Sequence, residues 1–277
     1  MKLPNRLPII TVLITLLLLS SSSWAGNIGH RASGGERDGH PELPENSLIA
    51  LQTALEGKDG NEAIQFRDNF VYLEYDIRES YDGELVVFHD KTIRRMVSNQ
   101  GANKIAISEI LTSEEFKQRK KTKSCIPILS ICFKRNVTYE NLRIEDLTLA
   151  EIKRLRLKGE YDQEIPTYQE FLDAALQYEL FKPMVVEIKQ LRSDQARQQL
   201  LDRLVAFRHE FIKKDIVYAP DFDFPELVAM MTFKGSFKKS YGKYGSTAHR
   251  HWCDQAIANG FQGIFKPRTH SYDHCKK

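Results

Sequence analysis

The most constraining feature of this chain is a pair of apolar segments with acids set inside them: Val71-Tyr72-Leu73-Glu74-Tyr75-Asp76-Ile77 and Val185-Val186-Glu187-Ile188-Lys189. β-Branched and aromatic residues dominate both, the composition of buried strands. Residues two apart in a strand share a face. Glu74 and Asp76 therefore project together, as do Glu187 and Lys189. Burying both strands in one fold brings three carboxylates and one ammonium together, which is unfavourable unless a cation or an anionic ligand completes the set. That chemistry suits a hard-metal site able to handle phosphate. Gly29-His30-Arg31 and Val86-Val87-Phe88-His89-Asp90 add polar groups of the same kind.

Alternation of strands with helical patterns argues for an α/β fold built on a parallel sheet. Strands are predicted at Asn27–Ala32, Val71–Ile77, Leu85–Phe88 and Met184–Ile188, with later candidates at Asp215–Tyr218, Met230–Phe233 and Phe261–Phe265. Helices are predicted at Asn46–Glu56, Thr148–Leu157, Thr167–Tyr178 and Ser193–Phe207. Thr148 with Glu151, and Thr167 with Glu170, have the spacing of capping boxes. Polar residues at several strand ends favour a barrel with its site on the carboxyl face. Lys91–Lys182 is far longer than an ordinary crossover and reads as an excursion over the site.

The first 25 residues combine Lys2 and Arg6 with an apolar run from Leu7 to Leu19 and a small-residue end at Ala25. This is the pattern of a secretory signal peptide cleaved after Ala25. The run is shorter than the roughly 20 residues needed to span a bilayer, so a stable membrane span is not expected. Cleavage leaves residues 26–277 as one domain, within the size of an eight-stranded barrel. Net charge falls from +3 to +1, because the removed segment holds one Lys, one Arg and no acid. No basic field for nucleic acid remains. Export opens the way to oxidation of Cys125, Cys132, Cys253 and Cys275, with Cys125 and Cys132 bounding a short loop.

Taken in order, Gly29-His30-Arg31, Pro44-Glu45-Asn46, Glu74-Tyr75-Asp76, Asp82-Gly83 followed by His89-Asp90, Ile165-Pro166-Thr167 and Glu187-Ile188-Lys189 resemble the glycerophosphodiester phosphodiesterase family. The resemblance covers residues 27–190 and fades beyond. It implies a TIM-type (β/α)8-like barrel that hydrolyses glycerophosphodiesters to an alcohol and glycerol 3-phosphate. It implies that Glu74, Asp76 and Glu187 hold one divalent cation, Ca2+ or Mg2+. It further implies that His30 and His89 act as general acid and base, that Arg31 and Lys189 contact phosphate, and that Glu45 supports the site. Which histidine is the base stays open at this level.

Several features depart from the family pattern, among them Ala219-Pro220-Asp221-Phe222-Asp223 in place of the fifth-strand element and late strands that are not recognisable. The stretch Ser33-Gly34-Gly35-Glu36-Arg37-Asp38-Gly39-His40 lengthens the loop after His30, and Pro267–Lys277 shows no strand pattern. The barrel is accordingly expected to be irregular or incomplete at its C-terminal end. Two other readings compete: a phospholipase D-like enzyme acting on intact sphingo- or lysophospholipids, for which Ile126–Phe133 is the candidate apolar loop, and a barrel that binds phosphate esters without turnover. His249, His251 and Trp252 read as a solvated helix face, and Arg119-Lys120-Lys121 and Lys238-Lys239 as solvated charge runs. The signal-peptide reading predicts that protein recovered outside the cytoplasm begins at Gly26; N-terminal sequencing of exported material checks it.

Overall fold

The structure, a computed structural model, describes residues 27–36, 38–119, 124–126, 131–133, 136–182, 184–213, 227–230, 263–266 and 271–274. The segment up to residue 26, the candidate strand Asp215–Tyr218, and His249, His251, Trp252 and Lys238-Lys239 lie outside the described residues.

The strands are β1 (Leu73–Glu79), β2 (Leu85–Val87), β3 (Ser124–Ile126), β4 (Ile131–Phe133), β5 (Met184–Gln190), β6 (Leu227–Met230), β7 (Gly263–Lys266) and β8 (Ser271–His274). The helices are α1 (Leu48–Glu56), α2 (Gly101–Thr112), α3 (Glu114–Arg119), α4 (Leu149–Ile152), α5 (Tyr168–Gln177) and α6 (Asp194–Lys213). Six strands form one sheet in the order β2-β1-β5-β6-β7-β8, and β3 with β4 forms a separate hairpin. The four central strands are parallel, while β2 and β8 run antiparallel to their neighbours. Both reversals follow from short connections. Ser80–Glu84 and the four residues after Lys266 are hairpin-length, and a parallel return needs a dozen or more. Among the described residues the sheet is thus open and mixed, not the closed parallel barrel that the resemblance implies.

Register determines what each face carries. Tyr75 pairs with Val186, and Asp76 with Glu187. Leu73, Tyr75, Ile77, Met184, Val186 and Ile188 line one face and form the main core with Leu51 and Leu55 of α1, Tyr168 and Phe171 of α5, and Leu200 and Leu204 of α6. The Tyr75 ring packs 4.7 Å from Phe171, and its hydroxyl lies 3.3 Å from that of Tyr168. Glu74, Asp76, Glu187 and Lys189 are left to the opposite face. Burial of Leu73, Tyr75 and Ile77 is therefore what turns the acids toward the site.

The excursion builds a second core. Val86 and Phe88, from the β2 region, pack with Ile93, Val97, Ile107, Ile110, Leu142, Ile144, Ile152 and Leu157. The Lys91–Lys182 region is thus seated on the sheet. Arg119 is not a solvated charge: it pairs with Glu151 and lies over the Tyr81 ring at 5.0 Å. Lys120 and Lys121 lie outside the described residues. Cys125 stands opposite Cys132 in the β3–β4 register.

Three predicted elements need correction. Asn27–Ala32 is not a strand but leads into a 3-10 turn at His30–Ser33, with Arg31, Ala32 and Ser33 all at positive φ. It still joins the sheet edge, since Gly29 O accepts from Glu74 N at 2.8 Å. The helix expected at Thr148–Leu157 stops at Ile152, and the chain turns to bridge Arg156 with Glu164 and Leu157 with Val97. Residues Ser271–His274 form a strand despite their polar pattern, because edge pairing with β7 needs backbone only. The helix predicted from Ser193 runs on to Lys213 and the strand predicted at Phe261–Phe265 is β7, Gly263–Lys266, whereas β6 at Leu227–Met230 shares only Met230 with the strand predicted at Met230–Phe233, and α2 and α3 were not predicted. Both capping boxes form.

Gly29 is where the turn meets the sheet. A Cβ there would lie 2.1 Å from Tyr72 O. Gly29→Ala should lower the unfolding free energy by about 1–3 kcal/mol, the range for overpacking, as read by urea denaturation.

Candidate active site

Local sequence determines how each group reaches the site. Glu74 and Asp76 lie on β1, Glu187 and Lys189 on β5, and all are buried apart from the partly covered backbone of Lys189. One oxygen from each of Glu74, Asp76 and Glu187 lies within 4.8 Å of the others. Lys189 Nζ pairs with Glu187 Oε1 and sits 3.3 Å from Asp76 Oδ1. That second contact is an ion pair without hydrogen-bond alignment, and Asp76 Oδ1 and Glu74 Oε1 are buried without a hydrogen-bond partner among the described residues. Three carboxylates against one ammonium leave excess negative charge in a dry cluster. The donor set, all oxygen and partly unsatisfied, fits a hard divalent cation.

The titration of the acids reflects this crowding. Burial, and then Asp76 and Glu187, hold the Glu74 carboxyl well above its ordinary range. Burial and Asp76, partly offset by Lys189, push Glu187 up to about 7. Asp76 goes the other way: burial acts to raise it, but Lys189, His89, Asn46 and Arg31 together outweigh that and lower it.

The turn after Gly29 presents His30 and Arg31. Left-handed backbone at consecutive non-glycine residues costs roughly 1–2 kcal/mol each. Contacts that hold the turn include Arg31 N donating to Glu74 Oε2 at 2.7 Å and Asn46 N donating to Arg31 O at 2.8 Å. The Arg31 guanidinium divides its fork: Nη1 donates to Glu45 Oε2 at 2.7 Å, and Nη2 lies 2.8 Å from His89 Nε2. His30 Nδ1 lies 3.1 Å from both oxygens of Asp38, and its Nε2 lies 3.7 Å from Glu74 Oε2.

His89 follows β2. Its Nδ1 meets Asp90 Oδ1 at 2.6 Å, and its carbonyl accepts from Arg78 Nε at 2.9 Å and Nη2 at 2.7 Å. Arg95, from the 3-10 turn Ile93–Arg95, spans Glu45 and Asp90. Its Nη1 donates to Glu45 Oε2 at 2.9 Å and its Nε to Asp90 Oδ2 at 2.5 Å. A second cluster of possible ligands, Glu45, His89 and Asp90, is thereby engaged by guanidinium groups. A cleft of about 540 Å³ opens beside His30, Arg31 and Glu45, with Asp38, Arg95 and Lys158 also on its walls.

The structure brings together all eight residues singled out from sequence: His30, Arg31, Glu45, Glu74, Asp76, His89, Glu187 and Lys189. Sequence reasoning missed Asn46, Asp38, Arg78 and Arg95. Asn46, at φ 58, exchanges two hydrogen bonds with Asp76: Nδ2 to Oδ2 at 2.7 Å and Asp76 N to Oδ1 at 3.2 Å. Its signal was its place beside Glu45. Arg78 follows Asp76 by two on the same strand, the same-face spacing that exposed Glu74. Arg95 and Asp38 carry no local signal, since each is one charged residue in a polar loop.

A buried triad of carboxylates that could hold a metal ion lies with two histidines and two basic side chains at one face of an α/β sheet. The model of the glycerophosphoryl diester phosphodiesterase family matches residues 30–259, and the chain belongs to that enzyme family. Among solved structures it is similar to glycerophosphodiester phosphodiesterase from Agrobacterium tumefaciens, at 18% identity over 80% of this chain and 61% of that one, TM-score 0.39. It is also similar to an Oleispira antarctica phosphodiesterase in complex with the product sn-glycerol-3-phosphate, at 19% over 81% and 70%, TM-score 0.39. A third similar structure is the Thermotoga maritima glycerophosphodiester phosphodiesterase, at 16% over 80% and 67%, TM-score 0.35. Among the described residues no helix is long and apolar enough to cross a membrane.

The raised Glu187 group makes a pH prediction for the metal-free protein. A folded-state pKa of about 7 against an ordinary 4.5 means that the folded chain keeps a proton that the unfolded chain releases. The stability this gives is complete below pH 4.5 and is lost as pH rises through about 7. In chelator, the wild-type protein should lose more melting temperature than Glu187→Gln between pH 4.5 and pH 7. A divalent cation should reverse the loss in the wild type. Thermal melts across pH check this.

Proposed function

We propose that this protein is an exported, divalent-metal-dependent phosphodiesterase that hydrolyses glycerophosphodiesters to an alcohol and glycerol 3-phosphate. The observation that carries this reading is the buried Glu74, Asp76 and Glu187 cluster with two unsatisfied oxygens, next to His30 and Arg31. These three residues would hold the cation, which when bound supplies a Lewis acid for the phosphate oxygens. Arg31 and Lys189 add positive charge for the same oxygens, and the planar fork of Arg31 suits two of them at once.

The hydrogen-bond pattern supports separate roles for the histidines. A guanidinium only donates, so His89 Nε2 accepts in the Arg31 contact, and its Nδ1–H donates to the Asp90 carboxylate. His89 is then the base. His30, whose Nδ1 faces both oxygens of Asp38 and whose Nε2 lies 3.7 Å from Glu74 Oε2, then serves as the acid. Glu45 and Arg95 hold Arg31 and Asp90 in register. With the Arg31 fork turned from His89 to the phosphate oxygens, the neighbouring glycerol hydroxyl attacks phosphorus and passes its proton to the freed His89 Nε2. The bond from phosphorus to the alcohol oxygen breaks, the electron pair leaves with that oxygen, and the oxygen takes the proton from His30 Nε2. Water then opens the cyclic phosphate with the roles reversed: its proton goes to His30, and His89 returns a proton to the glycerol oxygen. Export rests on the basic, apolar and small-residue pattern of residues 1–25. The open sheet is read as part of an eight-stranded barrel, as the family resemblance implies.

The test uses residues 26–277 with glycerophosphocholine and glycerophosphoethanolamine, in Ca2+, Mg2+ or chelator. Metal-dependent release of glycerol 3-phosphate is expected, with a loss of at least about 100-fold in Glu74→Ala and His30→Ala. No release under any metal would overturn the reading. Hydrolysis of intact lysophospholipid or sphingomyelin alone would select a lipid substrate instead.

A further inference from the structure

The lengthened loop after His30 does more than form one wall of the cleft. Its ends are tied together: His40 N donates to Ser33 O at 2.7 Å, Gly35 N to Leu43 O at 3.0 Å and Asp38 N to Gly35 O at 3.1 Å. It is also pressed against the chain before α1, since a Cβ at Gly34 would lie 2.6 Å from Pro44 O. The loop therefore has little room to shift, and it presents one carboxylate inward. The Asp38 side chain is 7% exposed although it lies in a surface loop, and both its oxygens lie 3.1 Å from His30 Nδ1.

The two histidines are held differently. His89 is gripped on both nitrogens, by Asp90 and by Arg31, and through its carbonyl by Arg78. The His30 side chain is 43% exposed, and among the described residues its ring makes hydrogen bonds to Asp38 alone. An exposed imidazole rotates freely about its side-chain bonds unless a contact stops it. Two acceptor oxygens on Nδ1 define the ring plane, keep a proton on Nδ1 and aim Nε2 toward Glu74.

We propose that Asp38 is a positioning residue for His30, so that the loop Ser33–His40 belongs to the proton-donating half of the reaction. The proposal rests on the reading of His30 as the acid. Asp38 is not among the residues proposed to hold the cation or bind phosphate. It acts by holding the Nε2–H of His30 where the departing alcohol oxygen appears. Its loss should therefore slow the first step, departure of the alcohol, only when that oxygen needs a proton to leave.

The experiment compares two substrates on the metal-loaded enzyme. The choline alkoxide of glycerophosphocholine needs a proton, whereas the 4-nitrophenolate of glycerol 3-(4-nitrophenyl phosphate) leaves without one. For Asp38→Asn, kcat on glycerophosphocholine should fall by about 10–100-fold with KM within about threefold, part of the general-acid contribution. In a single turnover, which reads the first step alone, release of 4-nitrophenolate from the nitrophenyl ester should be nearly unchanged, whereas release of choline falls as kcat does. His30→Ala should show the same selectivity with a larger fall, and Asp38→Glu should recover part of the loss. The ratio of the two rates in one sample does not depend on how much of that sample is folded. Equal losses on both substrates, or no loss on either, would overturn the role of Asp38. Selectivity in His30→Ala without selectivity in Asp38→Asn would overturn it while leaving His30 as the acid. A wild-type enzyme that turns over neither substrate would overturn the phosphodiesterase reading itself.

Discussion

Three carboxylates buried against one ammonium are the constraint on which the rest of this structure depends. Glu74, Asp76 and Glu187 are placed together by the pairing of β1 with β5, and that register is locked by the apolar residues on the other face of the same strands. The acids cannot be relieved by a local rotation, because a one-residue slip would send Tyr75 and Val186 into the site and the acids into the core. What remains is compensation: Lys189 on two of the acids, Asn46 on Asp76, and the backbone of Arg31 on Glu74. The turn that carries His30 is therefore joined to the acidic cluster through a backbone amide, and its left-handed residues are held in part by that bond. Fold, strain and site are coupled at this point.

The excursion extends the same coupling outward. Its core packs on Val86 and Phe88, so the segment leading to His89 is held between the sheet and the added layer. Arg95 then reaches back from the excursion to Glu45 and Asp90, and Glu45 in turn accepts from Arg31. A chain of alternating charges runs from Asp90 through Arg95 and Glu45 to Arg31, whose other donor reaches His89. Each charge in it is paired on more than one side, which is what makes a partly buried network favourable rather than costly. Removing Arg95 would leave Glu45 and Asp90 underpaired at once, so its role is larger than its place on the cleft wall suggests.

Legibility in the sequence follows the range of the interaction. Same-face spacing is local, and it identified Glu74, Asp76, Glu187 and Lys189. Capping chemistry is local, and Thr148 with Glu151 and Thr167 with Glu170 form as their spacing predicts. Where a long-range contact overrides local preference, the reading failed. Asn27–Ala32 looked like a strand but turns, since Arg31 N is claimed by Glu74, 43 positions away. The helix from Thr148 ends early because Arg156 and Leu157 pair with Glu164 and Val97. Asp38 and Arg95 looked like ordinary loop charges, and only their neighbours distinguish them.

The sequence by itself determined the alternation of strands and helices, the identity of the acids and histidines, and the membership of a phosphodiesterase family, because each depends on periodicity or on ordered short motifs. Tertiary structure alone decided the antiparallel edges of the sheet, the seating of the excursion and the partners of His89, His30 and Arg31. The physical reason is that these depend on which groups meet across tens of residues. Hydrogen bonds and ion pairs select one partner among many of equal chemistry, and that selection is made by packing, not by spacing along the chain.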